Sequence, residues 1–373
     1  MAVSGQAILG SGDDLRVLLM TRGGGQVITE INPDSGSFNR KLDGTTAASL
    51  VATVSGGDLR SCCDEFAEAY AWATELLITR DGRDQWAGPI TNLVFAYGSV
   101  SVEASDLTAW WDRRVLPDEC HFQVDLADIF LDYHAAAMAS DPSPNIVISA
   151  TRTGILGDRQ VFGDDFDYAS DHIHELTRTG LDFTAYGRTV IVGGEEIPTD
   201  PIVTLTDEDW ITPPTVQERG NEQATVVVVR GNSEQVKFRA EARDPDYVNF
   251  YGEIVRVFNE GEIRDEPSLQ AAAQTRLDLL KDPLYIVPPQ NAGLRSTAPI
   301  TLTELVPGAR VRVDTQATCR KMVRDFRLAE VSVNFDGTVS ITLQPIGTTQ
   351  SGGPGSGAPA EQNGSNCAAL PVA

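Results

Sequence analysis

The sequence predicts an α+β chain, mainly β, with two small β-barrel domains and α/β insert domains between them. Three observations carry this expectation. Apolar residues alternate with period two near both ends of the chain. Helical spacing is confined to a few separate stretches. Turn dipeptides such as Asp81-Gly82, Pro307-Gly308 and Asp336-Gly337 punctuate the strand-like runs.

The clearest strand signal lies in 74–114. Residues 75–80 are apolar and β-prone, and Asp81-Gly82 supplies a turn. Residues 85–95 lead away, with Trp86, Gly88 and Ile90 spaced by two. After Gly98-Ser99, the apolar Val100, Val102 and Ala104 alternate with Ser101, Glu103 and Ser105. This pattern predicts a three-stranded antiparallel meander ending in Trp110, Trp111, Asp112, Arg113 and Arg114.

Upstream, 1–14 reads as a loose arm, 15–21 and 26–31 as strands, and Gly23-Gly24-Gly25 as the turn joining them. The glycine run lacks a following Gly-Lys-Ser/Thr and opens no helix, so it is not a phosphate loop. Strands over 37–42 and 47–54 continue the sheet. A helix over 58–73 is expected from the spacing of Leu59, Cys62, Cys63, Phe66, Ala69, Tyr70 and Ala73, with Asp58 as its cap. These elements make up a first β-barrel domain, 1–114.

An α+β insert domain follows over 115–205. It holds helices over 125–139 and 166–179 and a strand over 146–150. Two further strands flank the two-residue turn Gly187-Arg188. Residues 206–298 form a linker, a strongly apolar strand near 224–232 and an α/β segment with a helix over 267–280. Strands over 302–305, 311–315, 326–334 and 338–344 make a second β-barrel domain, 299–346. Residues 347–373 are a Gly/Ser/Pro-rich tail.

At 373 residues the chain has room for roughly two to four domains. Its net charge of −24, from 29 basic and 53 acidic residues, argues against nucleic-acid and anionic-membrane binding, which need clustered Lys and Arg. No stretch reaches the roughly 18 apolar residues of a membrane span, so no membrane anchor is expected. The first twenty residues hold Asp13, Asp14 and several glycines, which is unlike a secretory leader. Five cysteines (62, 63, 120, 319 and 367) show no metal spacing, and a disulfide framework is not expected.

No catalytic, cofactor-binding or metal site emerges. His172 and His174, flanked by Asp171 and Glu175, point to different faces if the stretch is helical. His121 and His134 stand in no motif. Asp164, Asp165 and Asp167 lack the glycine and final glutamate of a calcium loop. Asp207, Glu208, Asp209, Asp244 and Asp246 are acidic pairs of the kind that 53 acids produce without any catalytic meaning. Trp110-Trp111 is either a carbohydrate platform or, as large aromatics more often are, core or interface. Arg113 and Arg114 could pair with a neighbour's acidic surface.

The run RDG…WAGPI…DLTAWWDRR, with Ser37, Arg40, Leu42 and Asp43 upstream, resembles the first barrel of phage tail hub proteins. It is most similar to minor tail proteins of long-tailed phages of actinobacteria. The wider family includes baseplate hubs, the hub part of tail-associated lysins, and the valine-glycine repeat protein of type VI secretion. The stretch ELTRTGLDFTAYGRTVIVGG resembles the family's second domain. The resemblance implies that the strand near 224–232 returns to the first barrel.

It further implies a non-enzymatic virion protein at the tail tip, made in the host bacterial cytoplasm. Such a hub is a homotrimer that adapts a six-fold tail tube to a three-fold tip and surrounds part of the DNA ejection channel. Its partners would be the distal tail protein, the tape measure protein and other tail-tip proteins, with phage DNA only in transit. Two other classes fit the resemblance: the hub portion of a cell-wall-degrading tail lysin, and a receptor-binding tail-tip protein.

Overall fold

The computed structural model describes residues 9, 15–53, 66–194, 200–218, 220–231, 239–260, 266–281, 284–287 and 293–346. The expected N-terminal arm apart from Leu9, the first half of the 58–73 helix and the 347–373 tail lie outside these residues. Residues 66–73 form turns, with Phe66 and Ala69 buried in the core.

Seven antiparallel strands open the chain: β1 (Leu15–Thr21), β2 (Val27–Ile31), β3 (Ser35–Lys41), β4 (Ala47–Thr53), β5 (Thr74–Arg80), β6 (Arg83–Ala96) and β7 (Ser99–Ser105). The expected meander is β5–β6–β7. Asp81 and Gly82 join paired Arg80 and Arg83 with φ of 52° and 71°, the double left-handed geometry of a tight hairpin. Strand β6 is long enough to serve two neighbours. Its first half pairs with β5 up to Pro89, and its second half pairs with β7 from Ile90. At Gly88 an added Cβ would lie 1.8 Å from the Ser105 carbonyl oxygen, so glycine permits this close crossing.

An insert follows: β8 (Glu119–Asp125), α1 (Leu126–Met138), β9 (Val147–Ala150), β10 (Leu156–Val161), α2 (Ala169–Thr177), β11 (Leu181–Tyr186) and β12 (Thr189–Gly194). Helix α1 begins at Asp125, whose carboxylate accepts the Ala127 N–H at 2.9 Å. Helix α2 starts later than the expected 166, because Phe166 takes φ 55° at the end of a one-turn 3-10 segment. The β11–β12 hairpin forms around Gly187-Arg188 as expected, and β9 adds in parallel to β12. A second core fills this unit, from Trp111, Ile129, Phe130, Tyr133, Ile173, Leu176 and Phe183.

The remaining elements are β13 (Val203–Thr206), β14 (Thr215–Glu218), β15 (Val226–Gly231), β16 (Arg239–Arg243), α3 (Pro245–Tyr251), β17 (Val255–Glu260), α4 (Glu266–Leu280), β18 (Leu284–Val287), β19 (Gly293–Leu294), β20 (Arg310–Thr315), β21 (Met322–Asn334) and β22 (Val339–Pro345).

The largest corrections concern the barrels and the strand near 224–232. Two separate barrels are not found, and no sheet among the described residues closes into a barrel. The strands at the two ends instead form one open twelve-stranded sheet, in the order β13-β20-β21-β3-β4-β7-β6-β5-β1-β2, with β22 on β21 and β19 on β22. The physical reason is β21. Its thirteen residues pair with β20 at one end and with β3 at the other, from Glu330–Lys41 to Asn334–Ser37. One apolar core follows, shared by Val17, Leu19, Leu76 and Ile78 from one end of the chain and by Val311, Val313, Val331 and Ile341 from the other.

The second correction concerns the apolar strand near 224–232. It does not return to the first sheet. Strand β15 is the centre of a separate three-stranded sheet, antiparallel to β16 and parallel to β17. Helix α4 covers one face, packing Leu269, Ala273 and Leu277 on Val227, Val229, Ala240 and Ala242. Strand β15 is buried because a local helix covers it and both its edges are paired. The expected strand over 302–305 is a turn that drops Leu302 and Leu305 into the main core. Cys120 is disulfide-bonded, a bridge the cysteine spacing does not announce, and Cys319 is free.

Asp106 ties the end of β7 to the loop before β4. Its buried carboxylate accepts the N–H and hydroxyl of Thr46 (2.7 and 2.5 Å) and those of Thr108 (2.9 and 2.5 Å). Burial raises the Asp106 pKa against the pull of these donors. Asp106→Ala leaves two buried backbone donors unpaired and is expected to cost about 1–3 kcal/mol, read as a lower urea midpoint.

Candidate functional site at the sheet–insert junction

The β11–β12 hairpin of the insert meets the large sheet along two polar contacts, one at each end. At the first, Arg188 of the hairpin turn forms a buried ion pair with Glu75 of β5, and its Nη2 donates to the Pro144 carbonyl at 2.6 Å. Glu75 also accepts the Gly23 N–H at 2.9 Å. The Gly23–Gly25 run is therefore a docking surface. A Cβ on Gly23 would lie 2.2 Å from the Ser143 oxygen, and one on Gly24 would lie 2.9 Å from the Arg188 guanidinium. Both residues have positive φ, which glycine adopts at little cost.

At the second contact, Arg327 of β21 grips Asp182 of β11 with both terminal nitrogens, at 2.5 and 3.2 Å. Asp43, at the end of β3, accepts the Phe183 N–H at 2.9 Å and returns its own N–H to the Phe183 carbonyl at 2.8 Å. Two carboxyls thus stand beside one guanidinium in a poorly solvated place. Burial first, and then the Asp182 charge, push the Asp43 carboxyl up to about 8. A cavity of about 390 Å³ opens onto this pair, lined by Leu42, Asp43, His174, Arg178, Asp182 and Arg327 among others.

Arg40 of β3 lies fully buried between the two contacts. Its Nη2 donates to the Leu302 carbonyl at 2.9 Å, and its guanidinium sits 4.9 Å from the Tyr186 ring centroid. Burial lowers its pKa to about 10, so it stays charged at neutral pH. The arrangement clamps the insert to the sheet. Sequence reading missed it because the paired residues are far apart in the chain, Glu75–Arg188 by 113 positions and Asp182–Arg327 by 145. The only local hints were the glycine run and the Gly187-Arg188 turn.

The residues weighed from sequence fall elsewhere. Trp110 and Trp111 are buried, which rules out a carbohydrate platform. Trp111 packs edge-on against Phe130 and Phe183 and donates its indole N–H to His134 Nδ1 at 3.2 Å. Trp111→Phe keeps the ring packing and loses that bond; a loss of about 1 kcal/mol in thermal unfolding is expected.

His172 and His174 do diverge on α2. His172 packs on Tyr133 and lies 3.6 Å from Asp167, while His174 packs on Phe183 with its pKa lowered by burial. His121 is buried beside Glu119 and Asp132. Among the described residues no cluster of three His, Cys, Asp or Glu has metal-binding geometry.

The acidic pairs have structural work. Burial acts to raise the pKa of Asp207, but the Thr315 hydroxyl and the Gln316 and Ala317 N–H groups hold it below the usual range. Asp209 closes a capping box with Thr206. Asp244 caps α3 and pairs with Lys281 at 3.3 Å, while Asp246 sits in that helix's first turn. Asp164 and Asp165 form the one-turn segment before Phe166.

No family model matches the chain, and no curated protein matches it by sequence. Solved structures do match its fold. A tail protein from Neisseria meningitidis is 15% identical, covers 89% of this chain and 97% of its own, and superposes with a TM-score of 0.59. The 43 kDa tail protein of prophage MuSo2 from Shewanella oneidensis is 11% identical over 88% of this chain and 98% of its own, at a TM-score of 0.60. The prophage tail protein gp18 from Listeria monocytogenes is 13% identical over 88% and 94%, at 0.53. The chain therefore has the fold of phage tail proteins.

Proposed function

We propose that this chain is a structural virion protein of a tailed phage, the tail-tip hub that joins the tail tube to the tip. The observation that carries this reading is the end-to-end fold likeness. Two tail proteins are matched over nearly their whole length by nearly the whole of this chain. A chain of this size whose two ends share one sheet and one core is a rigid block suited to ring building.

In this reading three copies form a closed ring that adapts a six-fold tube to a three-fold tip. The ring surrounds part of the DNA ejection channel. Each copy carries −24, and acidic walls repel DNA and let it slide. The neighbours are the distal tail protein, the tape measure protein and other tail-tip proteins. The role is geometric, not enzymatic; Asp209 and Asp244 cap short helices, and Asp244 pairs with the Lys281 side chain.

Immunogold electron microscopy of intact virions with antibodies to this chain tests the placement. Gold confined to the tail tip is expected. Labelling along the tube or on the capsid would rule the hub role out.

A further inference from the structure

Trp72 and Arg113 stand together at the surface of this acidic chain. Trp72 has φ 63°, a left-handed backbone that a bulky residue adopts only under strain. Its N–H is held by the Ile90 carbonyl at 2.8 Å, and its ring meets Trp110 edge-on at 5.1 Å. The half-buried Trp72 ring therefore stands at the surface, two residues from Tyr70, which is 64% exposed.

Arginines gather on this aromatic pair. Arg113 lies 5.2 Å over Trp72, while Arg114 and Arg22 lie 5.6 and 6.0 Å over Trp110. Arg114 and Arg22 share the single carboxylate of Asp141, at 3.1 and 3.5 Å. Arg113 is exposed and has no carboxylate within ion-pair distance among the described residues. A strained Trp, an exposed Tyr and an exposed Arg stacked on a ring are the composition of an interface hot spot.

We infer that the Tyr70–Trp72–Arg113 patch is the surface through which one copy of this chain docks onto the acidic face of the next. Charge complementarity selects the occupant. A cyclic ring places different surfaces in contact, so the patch meets other parts of a second copy, and a copy with 53 acids against 29 bases offers mostly carboxylates. A carboxylate of the second copy there pairs with Arg113, for which no described residue supplies one. The inference rests on the ring proposed above and names its contact.

The test uses the full chain in sedimentation velocity over a concentration series. The wild type is expected to form a trimer that weakens with added salt. Arg113→Glu is expected to raise the trimer dissociation constant about thirtyfold or more. Arg113→Gln, which keeps the stem over Trp72, is expected to give a smaller rise. Arg83→Glu, a matched charge reversal in the β5–β6 turn, is expected to leave assembly unchanged. Circular dichroism melting of each variant checks the fold. A wild-type trimer that Arg113→Glu leaves intact overturns this contact and spares the ring. A wild-type chain that stays monomeric overturns both.

Discussion

Arg327→Ala is expected to destabilise the protein by about 3–5 kcal/mol, the usual result of removing one partner of a buried ion pair. Arg327 and Asp182 are each nearly inaccessible, with side chains 7% and 9% exposed. The variant leaves two carboxyls, Asp182 and Asp43, facing each other without the Arg327 guanidinium. Urea unfolding followed by circular dichroism measures the loss. The double variant Arg327→Met with Asp182→Leu removes charge and partner together and is expected to recover most of it. Equal losses in the single and double variants would show that shape, not charge, carries the contact.

The contribution of Asp43 to stability is expected to fall as pH rises from about 4 to about 8. In the fold its pKa is about 8, against 3.8 for an ordinary aspartate. Between those values the folded state holds a proton that the unfolded chain has released. Asp43 therefore favours the fold fully below about pH 4, and that contribution is lost as pH climbs through 8. One such proton gives a slope of up to about 1.4 kcal/mol per pH unit. Asp171, His174 and Glu175 on α2 and Arg178 just after it face the same cavity, together with Asp182 and Arg327, so the difference between wild type and Asp43→Asn is the quantity to measure. The stability of the wild type relative to Asp43→Asn is expected to fall steadily as pH rises. A difference independent of pH between 4 and 8 would mean that Asp43 is ionised in the fold.

What could be read from the sequence was local. The β5–β6–β7 meander followed from period-two spacing and from Asp81-Gly82, and α1 from its apolar stripe behind Asp125. The β11–β12 hairpin followed from Gly187-Arg188. Partnership was not legible. The alternation in β21 says that one face is buried, but not that its two halves pair with strands from opposite ends of the chain, β20 nearby and β3 near the start. The valines of β15 announce burial equally well under a local helix or inside a distant sheet, and the resemblance favoured the wrong one. The clamp residues were hidden for the same reason, since no local pattern marks Arg327 as the partner of Asp182.

The hub role is tested most directly by quantitative mass spectrometry of purified virions carrying this chain, ratioed to the major tail tube protein. A three-fold ring at the tip predicts about three copies per particle. About six copies would place the chain in a six-fold ring above the tip, and many more would make it a tube or fibre subunit. Either count, or absence from the virion, would contradict the hub.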